Sequence, residues 1–246
     1  MVSVRVFASP SSWIESSAVD QLHQVAALDG MLHVAGMPDL HPGKGAPIGA
    51  AMHSTVLYPF LVGSDIGCGI AVFPIALKRP VPEKLAARFP DLDRSPDPDD
   101  PAWDFAGHDV PLGHLDGIGT VGRGTRSYLV QGHAGPEAGW SVAHGAGRKM
   151  SRADALRRGK AKHTVEELRC TPLGSIVVCG DRQLLFEEAP TAYKKIEQVI
   201  GDLTSFGLAT PISATVPLVT YKTAAVSPGN TRGRPGSGPA GTGRPG

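Results

Sequence analysis

Within Val62-Gly63-Ser64-Asp65-Ile66-Gly67-Cys68-Gly69-Ile70 a carboxylate and a thiol stand three residues apart, with glycines around them. Glycine lets a backbone turn where a Cβ would forbid it and lets it approach a ligand closely. A thiolate is a soft ligand and a carboxylate a harder one, so Asp65 and Cys68 together suit a borderline first-row metal. The same pair also fits a buried cysteine beside a turn aspartate. Upstream, Gly36-Met37-Pro38-Asp39-Leu40-His41-Pro42-Gly43-Lys44-Gly45-Ala46 carries Asp39, His41 and Lys44 in a loop rich in glycine and proline. Downstream, Ala143-His144-Gly145-Ala146-Gly147-Arg148 sets a histidine before two glycines. Glycines so placed expose backbone N–H groups, a natural phosphate cradle.

These residues need elements to position them. Residues 2–7 alternate apolar and polar, which predicts a first strand. Helical spacing of Ile14, Ala18, Leu22, Val25 and Ala26 predicts a helix over 13–28, capped by Ser11 or Ser12 and ended by Asp29-Gly30. A short strand, 31–35, then enters the Asp39 loop. Segments 48–52 and 55–61 read as strands or buried loop edges. The continuous apolar run 70–77 reads as a strand buried on both faces. The Asp65–Cys68 loop would then be held rigidly between buried strands. Seven prolines and the carboxylates Asp97, Asp99, Asp100 and Asp104 make 79–113 an acidic solvated loop, broken by one helix near 82–88.

Toward the C-terminus, 127–131 reads as a strand and 151–168 as a helix. Arg148, Lys149, Arg152, Arg157, Arg158, Lys160 and Lys162 gather there as the best RNA-backbone patch of the chain, or as an ordinary charged helix face. Residues 174–179 read as a strand with Cys179 in the core. Glu187-Glu188-Ala189-Pro190 reads as the opening of a helix that carries Tyr193, Ile196, Ile200 and Leu203 and closes at Gly207. An extended stretch, 208–221, precedes Lys222. Residues 226–246 are mostly Gly, Pro, Arg, Ser and Thr with little to bury, and read as a disordered tail.

Composition bounds the answer. A chain of 246 residues that is 41% hydrophobic can build a real core, here expected over 1–225. A net charge of +1 excludes a uniformly basic nucleic-acid-binding surface, so any RNA contact must be local. Three cysteines without repeated spacing argue against a disulfide framework and for a reducing compartment. No apolar run reaches the roughly 18 residues a membrane span needs. The expectation is a soluble, cytoplasmic protein.

Taken in order, the three glycine-rich motifs resemble the RtcB family of RNA ligases, and the resemblance runs over most of 12–222. Trp13-Ile14-Glu15 and the 217–222 ending look most like a bacterial branch linked to RNA repair. The family joins an RNA 3′-phosphate (or 2′,3′-cyclic phosphate) to a 5′-hydroxyl, in RNA repair or tRNA splicing, using GTP and manganese. The resemblance implies a mixed α/β fold around a metal cleft. It implies His144 as the nucleophile that takes a guanylate, and Asp65 and Cys68 as ligands of a two-manganese site. Gly145, Ala146, Gly147, Arg148, Tyr193 and Lys222 would contact the nucleotide. Asp39, His41 and Lys44 would line the RNA and phosphate cleft.

The pattern is interrupted in one place. Gly117-Ile118-Gly119-Thr120-Val121-Gly122 looks like the start of the family's G-T-x-G-G-G-N-H-F motif. The following residues, Arg123 to Val130, resemble a much later family segment. The chain thus passes from one motif to another near 122–124 and lacks the family's remaining metal-binding histidine motifs. An internally truncated fold with weak or absent ligation is expected, with exposed sheet edges that favour self-association. The alternatives are a catalytically impaired relic or an RNA- or GTP-binding module, and a different metal-dependent phosphoester enzyme reusing Asp65, Cys68 and His144.

Overall fold

The computed structural model describes residues 2–62, 78–88, 118–119 and 124–223. The predicted strand 70–77, the Asp65–Cys68 loop, the acidic run beyond residue 88, residues 120–123 of the motif junction and the 226–246 tail lie outside them. The described residues form a mixed α/β structure with three small sheets.

In the first sheet β1 (Ser3–Val6) pairs parallel with β2 (Met31–His41), and β3 (Ile48–Ser54) pairs antiparallel on its other side. Parallel neighbours need a crossover, supplied by α1 (Ser16–Ala26), whose Ala18, Leu22, Val25 and Ala26 pack on Met31, Val34 and Leu40. Strand β2 runs well past the predicted 31–35. Its pairing with β3 jumps from Gly36↔Ala50 to His41↔Ile48, so residues 37–40 bulge out of register. Pro38 has no N–H for a ladder, which suits it to a bulge. The bulge turns Met37, Pro38, Asp39 and Leu40 inward, and all four are buried.

The helix α2 (Pro82–Arg88) lies where the sequence placed it. Strands β4 (Ile118–Gly119), β5 (Ser127–Gly132) and β7 (Ala209–Thr215) form an antiparallel second sheet. Strands β6 (Ile176–Cys179) and β8 (Val219–Thr223) pair in parallel as a third. Buried residues of the first sheet (Ala35, Met37), β5 (Val130) and the loop around Ala143 and Ala146 share one cluster with Ile196, Val199 and Leu203 of α6 (Ile196–Ser205). That shared core fixes the His144 loop against both sheets. Cys179 lies in a separate cluster with Leu168, Val177 and Leu185, as expected of a core thiol.

Four local readings are corrected. Helix α1 starts at Ser16, with Glu15 at its cap position, while Ser12 turns its hydroxyl to the buried Asp202 of α6. Residues 55–61 form turns and a 3-10 turn at Pro59–Leu61, where proline again denies a strand its donor. The single helix expected over 151–168 is two: α3 (Arg152–Lys162), capped by Ser151, and α4 (Val165–Arg169). Thr164 and Glu167 make a reciprocal capping box, which offers the backbone a new start in place of another helical turn. Finally, Glu187 ends an unforeseen helix, α5 (Arg182–Glu187), capped by Asp181. Pro190 opens a 3-10 turn, Pro190–Ala192, and Tyr193 is extended. The following helix, α6, starts only at Ile196.

Candidate active site

Asp39 sits in the β2 bulge with its carboxylate out of solvent, and its Oδ1 has no hydrogen-bond partner among the described residues. Burial pushes its pKa up to about 6, against the opposing pull of positive charge at His144 and Lys194. His41, at the end of the same strand, places its Nδ1 2.8 Å from the Asp39 carbonyl oxygen. Its pKa is lowered, first by burial.

Two glycines make room for this aspartate. Gly49 has φ +78°, and a Cβ there would lie 2.6 Å from Asp39 Oδ1. Gly147 has φ +71°, and a Cβ there would lie 2.1 Å from the Asp39 carbonyl oxygen. The His144 loop is thus pressed onto the Asp39 bulge, backbone to backbone. Lys194 ties the two together. Its Nζ donates to the carbonyls of Pro38 (3.1 Å) and Leu40 (2.5 Å), which bracket Asp39, and its N–H donates to Gly147 O (3.0 Å). Burial lowers the Lys194 pKa to about 8 in spite of Asp39 and Asp202 nearby. His144 itself is exposed, between the buried Ala143 and Ala146. The N–H groups of Gly145, Ala146 and Gly147 donate to no acceptor among the described residues, as a cradle waiting for an oxyanion requires.

A second cluster adjoins the first. Arg148 and Tyr193 face each other as an isolated antiparallel bridge, with the Arg148 Cζ 5.0 Å from the ring centroid. Both converge on Glu188. Arg148 donates to Glu188 Oε1 (3.1 Å), to the Tyr193 hydroxyl (3.0 Å) and to the carbonyl of Glu187 (2.8 Å). Tyr193 donates to Glu188 Oε2 at 2.5 Å. Arg152 lies 3.3 Å and Lys222, from β8, 3.5 Å from the same carboxylate. Burial would raise the Glu188 pKa, but the Tyr193 hydrogen bond and the charges of Lys222, Arg148 and Arg152 outweigh it and hold the group below its ordinary value. Tyr193 is pushed up to about 12 by burial and by Glu188, so it stays a neutral donor. Lys44 stands exposed in the turn after β2, whose Gly43 is held on both backbone groups by Gln21.

The structure therefore brings Asp39, His41, His144, Gly147, Arg148, Tyr193 and Lys222 into two adjoining clusters. The residues that join them, Glu188 and Lys194, are absent from the sequence-derived set. Glu188 stands 40 positions from Arg148 and 34 from Lys222, so no local spacing marks it. Its neighbour Pro190 points instead to a helix start.

Among the described residues no group of three or more His, Cys, Asp or Glu side chains could hold a metal ion, and Asp65 and Cys68 lie outside them. Unspent N–H groups and exposed cations are both present here and suit a nucleotide phosphate.

The raised Asp39 pKa has a consequence for stability. A carboxyl whose folded pKa lies above its ordinary value of 3.8 binds its proton more tightly when folded. The stability it contributes is present at low pH and is lost as pH rises between 3.8 and about 6. Asp39→Asn is therefore expected to be more stable than the parent above pH 7, by up to about 3 kcal/mol. Urea denaturation at acid and at neutral pH checks this. An Asp39→Asn variant equally destabilised at both would show that the ionised carboxylate is not disfavoured.

Comparison with known proteins fits this geometry. The family model described as tRNA-splicing ligase RtcB matches residues 21–90 and 118–223. RNA-splicing ligase RtcB2 of Escherichia coli is 27% identical over 365 aligned residues, spanning 89% of this chain and 96% of the relative. That alignment is longer than the 246-residue chain, so the relative carries sequence with no counterpart here. The tRNA-splicing ligase RtcB of Methanocaldococcus jannaschii is 37% identical over 101 residues, 40% of this chain and 10% of the relative. The uncharacterized protein YkfJ of Escherichia coli is 58% identical over 52 residues, 21% of this chain and 59% of YkfJ. With the two matched stretches covering well over half of its residues, the chain belongs to the RtcB family of RNA ligases.

Proposed function

We propose that His144 is the nucleophile of a guanylyl transfer to an RNA 3′-phosphate; a 2′,3′-cyclic phosphate is first opened by water, which leaves a 3′-phosphate and a free 2′-hydroxyl. An imidazole nitrogen attacks the α-phosphorus of GTP, a nitrogen–phosphorus bond forms and pyrophosphate leaves. A 3′-phosphate oxygen then takes the guanylate and frees the imidazole. The 5′-hydroxyl of a second RNA end attacks the activated phosphate and GMP departs. The observation that carries this reading is the juxtaposition of exposed His144 with buried Asp39, fixed by Gly147 and Lys194. A buried carboxylate facing an imidazole favours the cation that develops as the ring accepts phosphorus.

The other residues take roles consistent with that step. The N–H groups of Gly145, Ala146 and Gly147 receive phosphate oxygens. Arg152 and Lys222 stay partly exposed beside Glu188 and offer positive charge to the nucleotide. Arg148 spends its donors on Glu188, Tyr193 and Glu187, and so orients the Tyr193 ring for the guanine. Asp65 and Cys68 are the residues that would hold manganese, whose charge would offset that of the phosphates. His41 and Lys44 border the RNA side of the cleft. One domain, 1–225, acts in the cytoplasm with 226–246 as its tail. No helix among the described residues is long and apolar enough to cross a membrane. The largely exposed strand β7 is the edge for self-association.

The test is labelling. The protein is incubated with α-labelled GTP and Mn²⁺, denatured and examined for bound label, with His144→Ala as control. Label on the parent and none on the variant is expected. Equal label on both overturns the assignment. A folded parent without label favours a chain that binds GTP or RNA and has lost the first chemical step. That second reading draws on the extra sequence of its relative.

A further inference from the structure

At the far end of α3 from Glu188 lies a groove of about 960 Å³ between α3, α4 and α5. Lys160, His163, Arg169 and Arg182 line it, against one lining carboxylate, Glu166. Lys160, Arg169 and Arg182 are exposed, and none forms an ion pair with a described residue. Elsewhere on α3, Arg152 pairs with Glu187 and Glu188 and Arg157 with Asp154, while Arg158 and Lys162 form no ion pair with a described residue. His163 adds a second observation. Its Nε2 is out of solvent and has no hydrogen-bond partner among the described residues, while its Nδ1 stands 4.0 Å from Glu167 Oε2. Val165, Leu185 and Phe186 give the groove apolar lining.

We propose that this groove binds the backbone of single-stranded RNA at a distance from the reacting ends, with Lys160, Arg169 and Arg182 on its phosphates. Unpaired like charges gathered around a cleft repel one another and raise the local concentration of a polyanion. Apolar lining beneath a cationic rim matches a strand whose bases are unstacked, each with an apolar face to lay down. Position supports the same ligand. Lys160 is eight residues beyond Arg152 on one helix, about 12 Å along its axis at about 1.5 Å per residue. Three or four stacked nucleotides, at about 3.4 Å each, span that distance. A strand whose end lies beside Arg152 thus reaches the groove with the nucleotides next behind that end. The inference rests on the reading that the chain acts on RNA, and it adds where the strand is held.

The experiment compares the full chain with the triple variant K160E/R169E/R182E. Binding of a fluorescent single-stranded RNA with a 3′-phosphate is followed by anisotropy over a range of salt concentrations. The three positions are exposed, so the fold should persist, and the neutral variant K160Q/R169Q/R182Q guards against a purely repulsive effect. A loss of at least about tenfold in affinity is expected for the Glu variant. The neutral variant should lower the slope of log K against log salt by about 2, since each single-strand phosphate contact contributes about 0.7. A labelled nucleoside 3′-phosphate, too short to reach the groove from the reacting end, should bind all three proteins alike. Guanylate label on His144 should also be equal in all three.

Unchanged RNA affinity in both variants overturns the proposal, and is the result expected if the groove receives an acidic protein segment. Equal loss for long RNA and the nucleoside 3′-phosphate also overturns it. The two readings separate cleanly. Absent guanylate label with groove-dependent RNA binding sinks the ligase chemistry and keeps the groove. Label without groove-dependent binding does the reverse.

Discussion

Glu188→Ala is expected to lose about 3 kcal/mol of stability at neutral pH and most nucleotide-dependent labelling. The carboxylate is 6% exposed and is shared by Arg148, Arg152, Lys222 and the Tyr193 hydroxyl. Exposed partners such as Arg152 contribute little to such a network. The cost comes from Arg148, whose side chain is 14% exposed and would be left as a buried charge without its counter-ion, a loss of about 3–5 kcal/mol in comparable cases. Tyr193 would lose its acceptor in the same change. Glu188→Gln keeps the volume and an acceptor for Tyr193 and loses only the charge, so it should fall between the two.

The pH dependence gives that prediction a sign. Glu188 has a folded pKa below its ordinary value of 4.5. Its contribution is fully present above 4.5 and disappears as pH falls through the lower folded value. The stability gap between parent and Glu188→Gln should be wide at pH 7 and close in acid. Urea titrations at both pH values measure it. A gap that is absent at pH 7, or that widens in acid, would refute a charged Glu188 as the hub of this site.

Much of the framework could be read from the chain. Apolar patterning placed α1, β5 and β6 because each depends on its own local sequence. The motifs also named residues that do meet in space: Asp39 with His144, and Arg148 with Tyr193. Connections set by competition between local and distant bonds were harder to see. Pro190 marks a 3-10 turn because the chain must extend at Tyr193 to pair with Arg148, and that demand comes from residues far away. The split between α3 and α4 depends on one threonine choosing a cap. Glu188 and Lys194 were invisible as site residues because their partners are backbone carbonyls and cations gathered by the fold. A buried carboxylate has no signature in sequence until its counter-ions are in place.

Gly147→Ala should separate positioning from chemistry most sharply. Alanine at φ +71° carries backbone strain of roughly 1–3 kcal/mol. Its Cβ would also stand 2.1 Å from the Asp39 carbonyl oxygen, 2.9 Å from its carbonyl carbon and 3.1 Å from its Cα. No flexible side chain is available to give way, so either the His144 loop or the Asp39 bulge must move. Moving the loop also breaks the bond from Lys194 N–H to Gly147 O and draws His144 away from the buried carboxylate. A displacement of about 1 Å at reacting groups can cost about 100-fold in rate, and guanylate labelling should slow by at least that much. Gly174→Ala supplies the control, because Gly174 has φ +77° and a Cβ there would meet nothing within 4 Å. That variant bears the strain of the left-handed backbone alone and should leave labelling near the parent rate. If the two variants lose equal stability and label equally fast, the contact between loop and bulge yields freely. His144 would then be held by something other than Asp39.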